Sequence, residues 1–148
     1  MPECQTKFHD RMVYEEDAVF HFPHGLPGFE EETRFLPIEQ PYTRPILFLQ
    51  SLRQSGLCFI TLPVRVVDPE YRLAVPPEDL DLLELPLHRQ PKVGSEVLCL
   101  TILTIRPGEP TTANLLAPVV VHLGSRRAVQ AVSAEPAYSS QFPLSTDN

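Results

Sequence analysis

The sequence predicts one all-β domain over residues 1–148, mainly antiparallel and barrel-like, with a single short helix near residues 77–85. Seventeen prolines are spread through the 148 residues, and because proline breaks helix interiors, a helical bundle is excluded. Short apolar runs rich in β-branched and aromatic residues lie between the prolines, separated by turn-forming residues. Many short strands with frequent turns are typical of a sandwich or a barrel.

Nine segments carry the strand pattern. The longest, residues 97–105, is apolar at both alternating sets of positions, which predicts a central strand covered on both faces. The predicted strands are residues 11–14, 18–22, 46–49, 57–62, 64–67, 73–75, 97–105, 119–123 and 128–132.

The predicted helix follows two consecutive prolines, which suit the first turn of a helix. Acidic residues in that turn favour the positive N-terminal end of the helix dipole, leucines at helical spacing provide one inward face, and Pro86 ends the segment. The acidic residues are Glu78, Asp79 and Asp81, and the leucines are Leu80, Leu83 and Leu85.

The termini and cysteines favour a cytoplasmic protein. No run approaches the roughly 20 apolar residues of a membrane span, and the N-terminus lacks the regions of a signal peptide. The three cysteines, Cys4, Cys58 and Cys99, show no CxxC spacing, so we expect buried free thiols. We expect disorder at residues 145–148.

Charge points to a protein partner. Twelve basic residues stand against 19 acidic ones, a net charge of -7, and nucleic-acid affinity comes largely from basic side chains that neutralise phosphates. Residues 1–32 hold eight carboxylates and residues 66–90 hold six, each against two basic residues. Such clusters are either solvated faces or surfaces that attract a basic protein.

Patterns for catalysis or cofactor binding are weak. His21 and His24 would lie on opposite faces of a strand, which disfavours a shared metal ion. The sequence has no GxSxG elbow, and residues 25–28 match neither a P-loop nor GxGxxG. We therefore expect no enzyme, metal or cofactor. The alternative is a small β-barrel enzyme or ligand carrier whose carboxylate-lined cavity uses His21 or His122.

The most distinctive segment is residues 22–30, Phe-Pro-His-Gly-Leu-Pro-Gly-Phe-Glu. Two glycines and two prolines fix a compact loop between two aromatic anchors, which by itself is consistent with a structural connection between strands. The segment resembles the F-P-x-G-L-P-G-F signature of the FliW family, the flagellar assembly factors of bacteria.

The resemblance continues in order along nearly the whole chain. Two departures are His122-Leu123, where the family tends to carry Asn-Arg, and residues 138–144, which lack the Arg and His of Y-x-x-R-H-P-L. The matching segments are residues 48–52 (W-L-Q-S), 59–63 (an apolar strand), 68–71 (a D-Y or E-Y step), 77–80 (an acidic helix start) and 112–121 (T-A-N-L-x-A-P-[IV]).

The resemblance implies an antiparallel, barrel-like protein that binds two partners, newly made flagellin and the translational repressor CsrA. In the family, FliW antagonises CsrA without occupying its RNA-binding surface. Flagellin competes for FliW, so flagellin synthesis is coupled to export. A chaperone of flagellin with no regulatory role is a further alternative.

The contact residues are predicted from charge and apolar character. A CsrA-type repressor is basic where it meets RNA, so acidic clusters would attract it, whereas the amphipathic ends of flagellin need apolar anchors. The predicted partner-binding residues are Phe29, Glu30, Glu31, Glu32, Tyr71, Glu78, Asp79, Asp81 and Phe142.

Overall fold

Short strands dominate the computed structural model, which describes residues 3–4, 12–134 and 138–144. The predicted disorder at residues 145–148 falls outside the described residues. Two short α-helices accompany the strands in the described part, α1 (Val64–Val67) and α2 (Pro77–Leu82). The strands are β1 (Glu3–Cys4), β2 (Met12–Val13), β3 (Phe20–His21), β4 (Arg34–Ile38), β5 (Leu47–Ser51), β6 (Cys58–Pro63), β7 (Val97–Thr104), β8 (Thr112–Ala113), β9 (Val119–His122), β10 (Ala128–Gln130) and β11 (Phe142–Pro143).

The main sheet has the strand order β10-β9-β7-β6-β5-β4-β3. Every pair of neighbours along this path is antiparallel. At the far end of β7, β8 pairs with β7 and with β11, while β1 and β2 form a separate two-stranded sheet. The predicted all-β, mainly antiparallel class is confirmed.

The sheet is not closed into a barrel. Its edge strands β3 and β10 meet at an isolated parallel bridge between His21 and Arg127, where the His21 amide donates to the carbonyl of Arg126 at 2.9 Å. In a parallel ladder the next amide to donate would be that of residue 23, two positions beyond the end of β3. Because Pro23 has no N–H group, the ladder stops after one bridge.

Strand β7 lies in the middle of the sheet and is packed on both faces, as predicted. On one face, Leu100 joins an apolar cluster that includes Phe35 and Leu49. On the other face, Val97 and Cys99 pack against side chains of the segment that connects β6 to β7. This packing holds the connection between β6 and β7 against the sheet.

Two predicted strands are absent from the structure, and one five-residue strand was not predicted. Residues 64–67 form α1 rather than a strand, because tertiary burial of Val64 against the core overrides the β preference of valine. Residues 73–75 form no strand. Strand β4 was not among the predicted strands, and it contains Pro37. The nitrogen of Pro37 faces the side of β3, but β3 begins at Phe20, opposite Phe35, so no β3 residue lies opposite Pro37 and no ladder hydrogen bond is lost.

Helix α2 lies where the sequence predicts a helix but ends three residues earlier than predicted. Glu84 has a φ of 60°, which is left-handed and terminates the helix. Leu80, Leu83 and Leu85 are all buried, so the predicted inward face is confirmed. The acidic residues of α2 therefore point away from the core.

The described thiols differ in burial. Cys99 is buried as predicted, and burial raises the pKa of its thiol to about 12. Cys58 is half-buried, and burial raises the pKa of its thiol to about 11. Both thiols are therefore protonated and poorly nucleophilic at neutral pH.

None of the helices in the described ranges has the length and apolar character needed to span a membrane.

Candidate protein-binding site

Two neighbouring loops enclose a shallow depression on the surface. One loop connects β3 to β4, and the other connects β5 to β6. We call this feature the acidic depression, and its lining residues are Gly28, Phe29, Glu30, Glu31, Glu32, Arg53 and Gln54. Four of the nine predicted contact residues, Phe29 to Glu32, are thus brought together here.

The first loop folds back on itself through a glycine. Gly25 has a φ of 65°, and a Cβ atom at this position would lie 2.5 Å from the carbonyl oxygen of Phe29 and 2.6 Å from that of Glu30. Leu26 and Phe29 close the turn with reciprocal backbone hydrogen bonds of 3.3 and 2.7 Å. Only glycine fits such a close approach of two backbone segments.

The aromatic anchors of this loop take different positions. Phe22 is buried and packs edge-to-face on Phe35 at a ring distance of 5.3 Å. Phe29 packs edge-to-face on Phe59 at 5.5 Å but remains 38% exposed. Phe29 is therefore an exposed apolar group beside the acidic residues, and its role as a contact residue stays a prediction.

Glu32 joins the two loops. Its side chain is only 2% exposed, and it accepts hydrogen bonds from the Ser51 hydroxyl at 2.7 Å, Gln54 Nε2 at 2.8 Å and Arg53 at 2.9 Å. Burial raises the pKa of Glu32, but these hydrogen bonds and the Arg53 charge outweigh it and hold the pKa below its ordinary value. The expectation that Glu32 is exposed for partner contact is wrong.

Arg53 partly neutralises the acidic depression. The same Nη1 atom that contacts Glu32 also donates to Glu31 at 3.0 Å, and both interactions raise the pKa of the guanidinium. The Glu30 carboxylate accepts a hydrogen bond from the backbone amide of Gly28 at 2.8 Å. Three carboxylates against one guanidinium leave the lining negatively charged, with Glu30 and Glu31 exposed.

The second loop is fixed by two adjacent side chains that the sequence analysis did not assign to the site. Gln50 Nε2 donates to the carbonyls of Ser51 at 3.0 Å, Gln54 at 3.3 Å, Ser55 at 3.2 Å and Leu57 at 3.2 Å. The Ser51 hydroxyl accepts hydrogen bonds from the backbone amides of Arg53 at 3.1 Å and Gln54 at 3.0 Å. The Gln-Ser pair in residues 48–52 was the available signal.

The acidic residues of α2 do not line the acidic depression. Glu78 and Asp81 are exposed on the helix, and Asp79 is half-buried. Burial, followed by the charge of Glu78, raises the pKa of Asp79. These three carboxylates form a second acidic surface.

The two remaining predicted anchors differ from each other. Tyr71 is only 1% exposed; its hydroxyl donates to the carbonyl of Leu115 at 2.6 Å, and its ring stacks on Tyr138. The prediction of Tyr71 as an exposed anchor is therefore wrong, because its ring is part of the core. Phe142 is 38% exposed on β11, outside the acidic depression.

The arrangement suits binding rather than the alternative cavity with several carboxylates and a histidine. Among the described residues, His21 lines two depressions that are open to solvent rather than enclosed, one with Glu84 and the other with Glu16 and Asp17. His122 Nδ1 lies 2.9 Å from the carbonyl of Leu83. Within the described ranges, no three His, Cys, Asp or Glu side chains are grouped so as to hold a metal ion.

Comparison with known proteins shows the family. The family model described as "FliW protein" matches residues 3–144. The chain is 31% identical over 140 residues to the flagellar assembly factor FliW of Bacillus subtilis, covering 94% of both chains. It is 33% identical to that of Thermotoga neapolitana, covering 89% of this chain and 86% of that protein. A crystal structure of the flagellar assembly factor FliW superposes with a TM-score of 0.83 at 27% identity, covering 97% of both chains. The chain belongs to the FliW family of flagellar assembly factors.

Proposed function

We propose that this protein acts in the cytoplasm as a non-enzymatic binding protein for a CsrA-type translational repressor and for flagellin. Binding the repressor antagonises it, and flagellin competes for the same protein, so that flagellin translation follows flagellin export. Membership of a family of flagellar assembly factors supports a flagellar role. The observation that carries the proposal is the acidic depression with its exposed aromatic ring.

The acidic depression supports binding of a basic protein. Glu30 and Glu31 project from a loop that Gly25 and the buried Glu32 hold in place, so they are presented without a large cost of ordering. Arranged charges of one sign attract a partner of opposite sign and raise its association rate, an effect that salt screens. The acidic residues of α2 provide a second negative surface outside the acidic depression. We do not expect direct nucleic-acid binding.

Exposed aromatic rings support binding of an amphipathic partner. Phe29 and Phe142 each expose more than a third of their surface although they lie beside packed strands. Aromatic residues contribute strongly to binding when a partner buries them. We propose that Phe29 and Phe142 contact the amphipathic ends of flagellin.

The proposed binding of the repressor is tested by association kinetics at low salt. The variant Glu30→Lys with Glu31→Lys should slow association by about tenfold or more, because it reverses the charge of the exposed carboxylates. The matched control is Glu39→Lys with Glu109→Lys, which makes the same change of net charge at exposed sites outside the acidic depression. Equal association rates for the two variants would contradict binding of the repressor at the acidic depression.

The proposed binding of flagellin is tested by calorimetric titration with purified flagellin. Phe29→Ala and Phe142→Ala should each weaken binding by about tenfold. Tyr42→Ala, which removes a ring that is 98% exposed, is the control and should bind normally. If flagellin binds but the repressor does not, the protein is a chaperone without a regulatory role.

A further inference from the structure

A row of three basic side chains crosses the open edge of the sheet. The register pairs His21 of β3 with Arg34 of β4, and the isolated bridge pairs His21 with Arg127 next to β10. Paired residues of neighbouring strands project from the same face, about 5 Å apart. His21, Arg34 and Arg127 therefore form one line of about 10 Å, which we call the basic row.

The basic row lines a surface depression of about 610 Å³. Two hydroxyl-bearing residues, Thr33 and Ser125, also line it, together with Glu84, the one carboxylate that the described part of the chain contributes to this lining. Depressions formed by a regular cross-strand register are rigid, because the sheet fixes the backbone of each contributing residue. The basic row is thus a preorganised surface, and the lining of its depression carries two guanidinium groups against one carboxylate, the reverse of the balance in the acidic depression.

Several hydrogen-bond donors of the Arg127 guanidinium are not used by the described residues. Its Nε donates to the carbonyl of Leu82 at 2.8 Å, which fixes the guanidinium against the end of α2. Its two terminal amino groups contact no acceptor among the described residues, and its side chain is 35% exposed. A guanidinium held by Nε presents its remaining donors as a fork that fits a carboxylate.

The counter-ions of the basic row are exposed. Glu16 pairs with Arg34, and Glu84 lies 3.8 Å from Arg127 Nε. Exposed ion pairs contribute little, so an incoming carboxylate can replace them. Both anions lie at the ends of the row, which leaves room for one or two carboxylates rather than for a long run of phosphates.

We propose that the basic row docks an acidic segment of a partner protein through its Asp or Glu side chains. The site is separate from the acidic depression, and it requires a partner region of opposite charge from the one that the acidic depression attracts. An open surface depression suits a protein segment better than a small ligand, because small-molecule sites bury most of their ligand.

The test measures binding of a fluorescent peptide of alternating glutamate and serine by anisotropy at low salt. The variant Arg34→Gln with Arg127→Gln should raise its dissociation constant by at least about tenfold, the effect of losing one charged hydrogen bond. Arg44→Gln with Arg106→Gln changes net charge equally at exposed arginines outside the depression, and should have little effect. A second variant, Arg34→Gln with His21→Gln, keeps the bond from Arg127 to Leu82 and should also lose binding.

Three outcomes would overturn the proposal. The first is wild-type protein that binds the peptide no better than one of alternating glutamine and serine. The second is an equal loss of binding in the test and control variants. The third is displacement of the peptide by inorganic phosphate at concentrations well below those of sulfate or acetate, which would indicate a site for a small phosphate instead.

Discussion

The hydroxyl of Ser51 donates a 2.7 Å hydrogen bond to the carboxylate of Glu32, and both side chains are buried. Ser51 ends β5, whereas Glu32 lies just before β4, so this contact ties together the two loops that form the acidic depression. Burying a carboxylate is unfavourable unless hydrogen bonds and a cation satisfy it. Glu32 therefore stabilises the loops, while Glu30 and Glu31 remain exposed.

Replacing Ser51 with alanine should destabilise the protein by about 1–3 kcal/mol. The change removes the donor to Glu32 and the acceptor for two backbone amides, which leaves buried polar groups unpaired. Urea unfolding at pH 7 measures the free energy. Ser55→Ala, at an exposed position in the same loop, is the control; a similar loss there would show that the buried network is unimportant.

The stability that Glu32 provides should depend on pH. Its pKa in the folded protein lies below the ordinary value of 4.5, so the unfolded chain takes up a proton first as the pH falls. This stabilisation is present above pH 4.5 and is lost as the pH falls through the folded pKa. The difference in free energy of unfolding between wild type and Glu32→Gln should therefore shrink between pH 7 and pH 3.

Urea titrations across that range measure the difference. The control is Glu31→Gln, which removes the exposed carboxylate that shares Arg53, and its effect should be smaller at every pH. A constant difference between wild type and Glu32→Gln would show that the Glu32 carboxylate is not ionised in the way inferred.

Gly25 and Gly28 offer a comparison within one loop. Both have positive φ angles, 65° and 83°, so alanine at either position is strained by about 1–2 kcal/mol. Only at Gly25 would the added methyl group meet backbone atoms, at 2.5 Å from the Phe29 oxygen, whereas nothing lies within 4 Å at Gly28. Gly25→Ala should lower the melting temperature clearly more than Gly28→Ala. Equal effects would mean that strain alone matters.

Strand prediction succeeded where the apolar pattern and the tertiary environment agree. Strand β7 lies between β6 and β9, and its apolar run is buried on both faces, so local pattern and burial coincide. Prediction failed at residues 64–67, where four residues that favour strands form a helical turn. It also missed β4, which contains Pro37, and the cost of a proline in a strand depends on how far the neighbouring strand extends. Neither outcome can be derived from local sequence, because both depend on partners distant in the chain.

The candidate site was only partly predictable for the same reason. Sequence identified the consecutive glutamates, but it treated Glu32 as equivalent to Glu30 and Glu31. The difference arises from Ser51 and Gln54, which lie about 20 residues away and approach Glu32 only because β4 pairs with β5. Likewise the basic row combines residues of β3 and β4 with Arg127, next to β10, and the composition does not reveal their pairing. That residues 1–148 form a single domain stays a prediction.

Tyr71→Phe tests the assignment of Tyr71 to the core. Removing the hydroxyl leaves the Leu115 carbonyl unpaired, so we expect a loss of about 1–3 kcal/mol in the free energy of unfolding at pH 7. Burial, followed by the charges of Cys99 and Tyr138, raises the pKa of Tyr71 above its ordinary value of 10.0, so stability is lost as the pH rises above that value. The stability of wild type should therefore fall more steeply than that of Tyr71→Phe in alkaline solution.

The control Tyr42→Phe, at a ring that is 98% exposed, should change stability by less than about 0.5 kcal/mol. Normal stability of Tyr71→Phe together with weakened flagellin binding would instead restore Tyr71 as a contact residue.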